Sequence, residues 1–328
     1  MNAVSQICRM YWIFLEIDAV HLVTPPATHA PFSVRVLNAG KHCGCTIPMG
    51  MSIQELNDII AARKASGKNY MFMETTIFQR EFLYIQELYK KGEFGRLQYM
   101  TCAHYQDMEG WPEYWEGFPP LMHPTHAVAP CLMLAGHLPD KVYARGSGKI
   151  RKELADKYGC PFAFESAFIS LQDSDVTIEM ERFLYGVARN YSECFRIYGE
   201  NESFEWQQLS EENPVLFTRT GEFEKAEDIL DEDSEKSSRG TKNCRKNESR
   251  SRIMHTFFRR KLHPSPPTQY ITMRTPTSPL LRAVVTVVLI RTLYMNSFVP
   301  FWKSANLLLM TSWALTGQVP ESVHMNLL

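Results

Sequence analysis

Residues 18–48 read D-A-V-H-L-V-T-P-P-A-T-H-A-P-F-S-V-R-V-L-N-A-G-K-H-C-G-C-T-I-P, and this stretch decides the fold. Ala19 to Val23 is a short apolar run rich in β-branched residues, the pattern of a buried parallel strand. Thr24-Pro25-Pro26 stops it, because proline cannot donate to a ladder. A helix is expected from about Thr28 to Asn38, with Gly40 placed for a left-handed cap, and a second strand over Lys41–Cys45. Strand, helix, strand is a βαβ unit, and the parallel sheet it implies binds ligands at the carboxyl ends of its strands. Thr24-Pro25-Pro26 and Cys45-Thr46-Ile47-Pro48 both fall at such ends.

V-T-P-P-A-T-H-A, then A-G-K-H, then C-x-x-P-M together resemble the second half of the nucleotide-binding domain of Gfo/Idh/MocA (glucose–fructose oxidoreductase) proteins. The resemblance runs from about Glu16 to about Lys225. It implies NAD or NADP as cofactor, and hydride transfer to or from a sugar, inositol or related hydroxyl compound. By the same resemblance Thr24, Pro25, Pro26 and His29 line the dinucleotide, and Thr46, Ile47 and Pro48 form the loop beside the nicotinamide. Most of the family has C-E-K-P at this loop, with the lysine as proton-transfer group. Ile47 stands in its place and can move no proton, so the acid–base work is expected elsewhere. Two alternatives to a dehydrogenase stay open: an NAD-dependent glycoside-cleaving relative, and a non-catalytic dinucleotide-binding paralogue.

His126, in L-M-H-P-T-H-A-V-A-P, matches the family histidine that faces nicotinamide and substrate, and imidazole suits a base near neutrality. His123 lies three residues away as orienter or second ligand. Glu74 ends a predicted parallel strand; with Arg80, His104, Tyr105, Gln106, Trp111, Tyr114 and Trp115 it forms the candidate substrate set. The aromatic faces of W-P-E-Y-W-E-G can stack on a sugar ring, or pack on their own domain. His104, His123 and His126 lack the usual zinc spacings, and no metal is expected.

Further along, helices are expected over Met51–Gly67, Arg80–Lys91, His126–Ala135, Arg151–Lys157 and Phe183–Asn190. Strands are expected over Asn69–Glu74, Leu97–Gln106, Lys141–Gly146, Phe162–Leu171, Val176–Met180, Cys194–Tyr198 and Ser203–Gln207. The fold class is therefore α/β plus α+β: a truncated Rossmann-type parallel sheet, then an open, mostly antiparallel sheet backed by helices. The expected division is a non-native lead-in over 1–15, a partial dinucleotide-binding domain over 16–95, a substrate and oligomerisation domain over 96–225, and a charged linker and tail over 226–328. The glycine-rich pyrophosphate turn does not precede Ala19, so this chain is expected to bind dinucleotide weakly.

The tail has its own explanation. From about Ser265, a frame built from each third base and the next two can read S-V-A-T-N-T-I-H-Y-H-E-N-T-H-K-S-F-A-S-G-G-G-H-G-G-S-H-P, which resembles the C-terminal third of this family. The same operation on Met1 to Phe14 yields a family-like lead-in. Both ends are expected to be frame-shifted translations, without the pattern of one fold.

Lys+Arg 35 against Asp+Glu 36 offers nothing to nucleic acid. Ala283–Ile290 and Leu307–Leu315 are too short to span a membrane. Eight cysteines without a C-x-x-C pair and no signal-peptide pattern point to reduced thiols and the cytoplasm. A homo-oligomer through the second-domain sheet is expected as partner, beside the small-molecule substrate.

Overall fold

The computed structural model describes residues 17–219 and the strand segments 244–247, 271–272 and 286–290. In the first half β1 (Ala19–Val23), α1 (His29–Asn38), β2 (His42–Cys45), α2 (Ile53–Ser66), β3 (Tyr70–Phe72) and α3 (Arg80–Lys90) alternate. β2 pairs in parallel with both β1 and β3. Thr286–Ile290, inside the tail for which no regular pattern is expected, pairs antiparallel with β1. Local chemistry sets the helix ends. The Ser52 hydroxyl accepts from Glu55 N at 3.3 Å, and Glu55 Oε2 accepts from Met51 N at 2.6 Å, a reciprocal cap. Gly67 closes α2 at φ 64°, a left-handed conformation that costs glycine nothing.

The second half runs through β4 (Leu97–Tyr105), α4 (Thr125–Ala135), β5 (Pro139–Ser147), α5 (Lys152–Tyr158), β6 (Phe164–Leu171), β7 (Thr177–Phe183), β8 (Ser192–Gly199), β9 (Glu202–Glu205) and β10 (Val215–Arg219). Cys244–Asn247, within the expected charged linker and tail, adds β11 beside β10. The sheet order is β11-β10-β9-β8-β4-β7-β6-β5. Only β4 and β7 pair in parallel within it, so the expected mostly antiparallel sheet is observed. One apolar cluster joins the halves, from Leu22, Cys45 and Phe72 through Ile85 to Met100, Leu132 and Ile178.

α4 is apolar nearly all round, with Ala127 to Leu132 buried without interruption. Such a helix belongs between layers. It packs on β4, β7 and β8 and on the 3-10 turn Thr76–Phe78 of the first half. His126 therefore sits where the two halves meet.

One expected element is absent. Phe183 ends β7 instead of starting a helix, and no helix occupies 184–190. The backbone there is already committed: Leu184 N donates to Ala163 O and Leu184 O accepts from Met108 N. Gly186 then takes φ 60°, outside helical space. Among the described residues no helix is long and apolar enough to cross a membrane, and Cys43, Cys45, Cys102, Cys131, Cys160 and Cys194 are free thiols.

Candidate functional site

Two loops lie side by side at the carboxyl end of the parallel sheet. After β1, the Thr28 hydroxyl is within 2.7 Å of both the Thr24 hydroxyl and the Pro25 carbonyl. After β2, the Thr46 hydroxyl donates to Leu22 O at 3.2 Å, and Ile47 and Pro48 are buried. His29 fastens one loop to the other. Its Nδ1 is 2.5 Å from Pro48 O and its Nε2 2.7 Å from Thr24 O. Carbonyls only accept, so satisfying both requires a doubly protonated ring. Burial opposes that charge and holds the His29 pKa below its ordinary value, against the pull of the two carbonyls and Glu55. His29 was expected to line the dinucleotide; its ring is instead a buried joint between the loops that would do so.

A second constellation forms around α4. His126 Nδ1 lies 2.7 Å from Glu74 Oε1, across the seam between the halves. Glu74 is fully buried just beyond β3, and the same oxygen accepts from the Thr76 amide and hydroxyl at 2.9 Å each. Burial alone raises a carboxyl pKa, but the facing imidazole and the Thr76 donors outweigh it, and Glu74 is held below its ordinary value. A carboxylate on Nδ1 fixes the tautomer and leaves Nε2 as the basic atom. The His126 side chain keeps 14% exposure, enough to meet a ligand. Pro130, four residues on, has no N–H, so the His126 carbonyl lacks its intrahelical donor.

His104 and His123 complete a cluster of three imidazoles. Ring centroids are 5.3 Å apart for His104–His126 and 5.2 Å for His123–His126. Both nitrogens of His104 and Nδ1 of His123 are buried without a partner. Burial, then the charges of neighbouring groups, drive both pKa values well below the ordinary range, so both rings are neutral near pH 7. Among the described residues no group of His, Cys, Asp and Glu is arranged to hold a metal ion.

The aromatic loop reaches the cluster through one residue. Trp115 stacks on His123 at 5.4 Å and 22°. Trp111 is 42% exposed with its edge to Trp115, and Tyr114 packs beside Trp115. Three expected substrate residues engage other partners than His126. Arg80 is exposed and pairs with Glu81. Gln106 is buried and spends its amide oxygen on Arg182. Tyr105, by strand alternation, faces away from His104 and donates to Glu181.

Four residues not singled out from sequence join the site. Glu193 Oε1 is 3.7 Å from His126 Nδ1, Gln79 donates to the other Glu193 oxygen at 3.0 Å, and the Tyr191 hydroxyl donates to Glu193 Oε1. Arg182 lies beneath the histidines, fully buried. The one available signal was strand alternation, which puts an arginine between Met180 and Leu184 on the covered face of β7.

Residues 6–74 match the family model described as an oxidoreductase family with an NAD-binding Rossmann fold, GFO_IDH_MocA. A glycosyl hydrolase family 109 protein of Shewanella amazonensis is 32% identical over 93 residues, covering 28% of this chain and 20% of that protein. The chain spans 20 to 33% of the length of the curated relatives it matches first. Aldose-aldose oxidoreductase from Caulobacter crescentus, complexed with glycerol, superposes with TM-score 0.54 at 22% identity over 65% of this chain and 64% of that one. Scyllo-inositol dehydrogenase from Lactobacillus casei, with NAD(H) and scyllo-inositol, gives 0.51 at 20% identity over 62% and 61%. Residues 6–74 are thus similar in sequence to the Gfo/Idh/MocA oxidoreductase family, and the described residues share the two-domain fold of these solved structures.

Proposed function

We propose that the chain forms a nicotinamide-dependent site in which His126 takes the proton from a hydroxyl on a sugar, inositol or related polyol. The observation that carries this reading is the 2.7 Å contact between His126 Nδ1 and the buried Glu74 carboxylate at the carboxyl end of the parallel sheet. It holds the ring and its tautomer, and Nε2 is left to accept the proton. Thr24, Pro25, Pro26, Thr46, Ile47 and Pro48 would hold NAD or NADP at its nicotinamide end. Neither 24–29 nor 45–50 contains a carboxylate, so nothing within them repels an anionic dinucleotide. The bound cofactor would supply the hydride acceptor. Glu74 and Glu193 stabilise the imidazolium once Nε2 is protonated, and Trp115, stacked on His123, offers an apolar wall to a sugar ring.

In this reading 16–95 is the partial dinucleotide-binding domain and 96–225 the substrate domain, followed by a charged linker and a tail translated out of frame. A second copy covers the open face of the large sheet, where Tyr143 and Phe168 are 68% and 49% exposed. Free thiols fit the cytoplasm.

The experiment is turnover of NAD and NADP against a polyol panel and a glycoside panel, on this chain and on one with the glycine-rich turn restored in frame. Polyol-dependent cofactor reduction supports the proposal. Glycoside cleavage without net reduction supports the second reading, which the glycosyl hydrolase family 109 relative favours. Dinucleotide binding without either reaction leaves the non-catalytic paralogue that Ile47 suggests.

A further inference from the structure

Arg182 presents a buried charge with no carboxylate hydrogen-bonded to it. Its Nε donates to His123 O at 3.0 Å, Nη1 to His104 O at 3.3 Å and Phe183 O at 2.6 Å, and Nη2 to Gln106 Oε1 at 3.1 Å. All four acceptors are neutral oxygens, so the charge is solvated by dipoles, and the Glu193 carboxylate offsets it only from beyond hydrogen-bond reach. A charge left this way in a core is costly, and an aliphatic residue would pack there at less expense in free energy. Burial lowers the guanidinium pKa to about 9, which still leaves it charged near neutrality.

The acceptors all belong to segments that frame the site. His104 and Gln106 are at and just beyond the end of β4, Phe183 ends β7, and His123 precedes α4 by two residues. We propose that Arg182 is the positioning residue of this site: its guanidinium locks the His123 carbonyl, three residues before His126, to the ends of β4 and β7, and its charge, bonded to no carboxylate, reserves proton uptake within the histidine cluster for His126. The proposal rests on the reading of His126 as base, but its electrostatic half can be tested without turnover.

The charged and titratable groups around His104 and His123 come from every packed element. They are Arg182 on β7, His126 on α4, Glu74 beyond β3, Tyr191 and Glu193 at the start of β8, and His29 on α1. Arg182 is the permanent cation among them. Proton uptake by His104 or His123 would put a second charge beside it, whereas His126 has Glu74 and Glu193 to compensate. A base that must work next to two other imidazoles needs such a division.

The test is proton NMR titration of the histidine rings in the full-length chain, with signals assigned through His104→Gln and His123→Gln. In Arg182→Met the His104 and His123 midpoints rise by about one pH unit, the size of effect a near charge exerts. Gln106→Glu keeps the arginine but gives it a carboxylate, and moves both midpoints the same way. Arg182→Lys keeps the charge and loses the fork, so the midpoints stay near wild type. Polyol turnover in that variant falls by roughly 10²-fold, as expected for a misplaced base. Unchanged midpoints in folded Arg182→Met or Gln106→Glu overturn the proposal, and if Arg182→Met does not fold, Gln106→Glu decides. If wild type has no polyol turnover, the reading of His126 fails, and the titrations still decide the role of the charge.

Discussion

His29 and His104 are both buried imidazoles with an exposure of 1%, and they have opposite surroundings. His29 has a carbonyl within 2.7 Å of each ring nitrogen. His104 has no partner on either nitrogen, and its neighbour His123 lacks one on Nδ1. Buried polar atoms are nearly always bonded, so the second arrangement is the unusual one. The first is a joint between two loops, with both ring nitrogens facing carbonyl oxygens although a neutral ring can donate to only one of them. The second keeps polar capacity unspent next to His126, at the price of stability, and perturbed groups of that kind gather at functional sites. At one end a single imidazole bridges the loops after β1 and β2, and at the other the histidines keep polar atoms unpaired.

The largest effect that can break this comparison is on chemistry. His126→Ala should lower polyol turnover by roughly two to four orders of magnitude, the range for a lost general base. Ile47→Ala should change turnover far less, because its side chain is 9% exposed and packs in the shared core. Similar small losses from both would remove His126 from the mechanism, and with it the distinction between the two ends. The comparison is made by steady-state kinetics on the chain with the glycine-rich turn restored.

Much of the molecule was legible because its signals are local. β1 at Ala19–Val23 carries its own hydrophobic run, Ser52 and Gly67 announce both ends of α2, and Pro25-Pro26 marks the loop after β1. Of the candidate site, Glu74 is marked by its place after a strand, and His126 only by the resemblance to the family histidine. Glu193 and Tyr191 look like ordinary residues leading into an exposed strand, and Gln79 like a helix-preceding turn. Their meeting depends on the docking of α4 between the halves, which no periodicity records. The expected helix over Phe183–Asn190 fails for a related reason: Ala163 and Met108 claim the Leu184 backbone from distant segments.

At the His29 end the effect should appear in stability. His29→Ala removes both carbonyl contacts and leaves a small cavity. Together these should cost roughly 2–4 kcal/mol. Urea unfolding gives the number, and a loss well below this range would mean that the two loops hold their register without the imidazole. Gly117→Ala probes the wall of the other end, and its effect is smaller, about 1–3 kcal/mol. Gly117 has φ 78°, and an added Cβ would lie 2.1 Å from the Leu154 carbonyl oxygen, a backbone atom that cannot step aside. Since Trp115 is two residues away and stacks on His123, the variant should also weaken polyol binding before it abolishes folding.

The smallest effect, and the one that separates the two ends most directly, is the response of stability to acid. The folded-state pKa values of His104 and His123 lie well below 6.5, chiefly through burial. In the unfolded chain both rings titrate at the ordinary value. As pH falls through about 6.5 the unfolded state binds protons that the folded state refuses, so unfolding is favoured and stability declines with acid. Glu74 acts in the same direction further down. Its folded pKa is depressed, so the stability it contributes is complete above its unfolded value and is lost as pH falls through the folded one. His29 is also lowered by burial, but its two carbonyls and Glu55 pull the other way, so its share is the lesser. The urea midpoint at about pH 5.5 should therefore lie below that at about pH 7.5 at constant ionic strength. Gln106→Glu, which offsets the Arg182 charge beneath the rings, should narrow the gap, and His29→Gln should leave most of it. A gap that vanished with His29→Gln instead would place the acid sensitivity at the joint, and the two ends of the site would have exchanged roles.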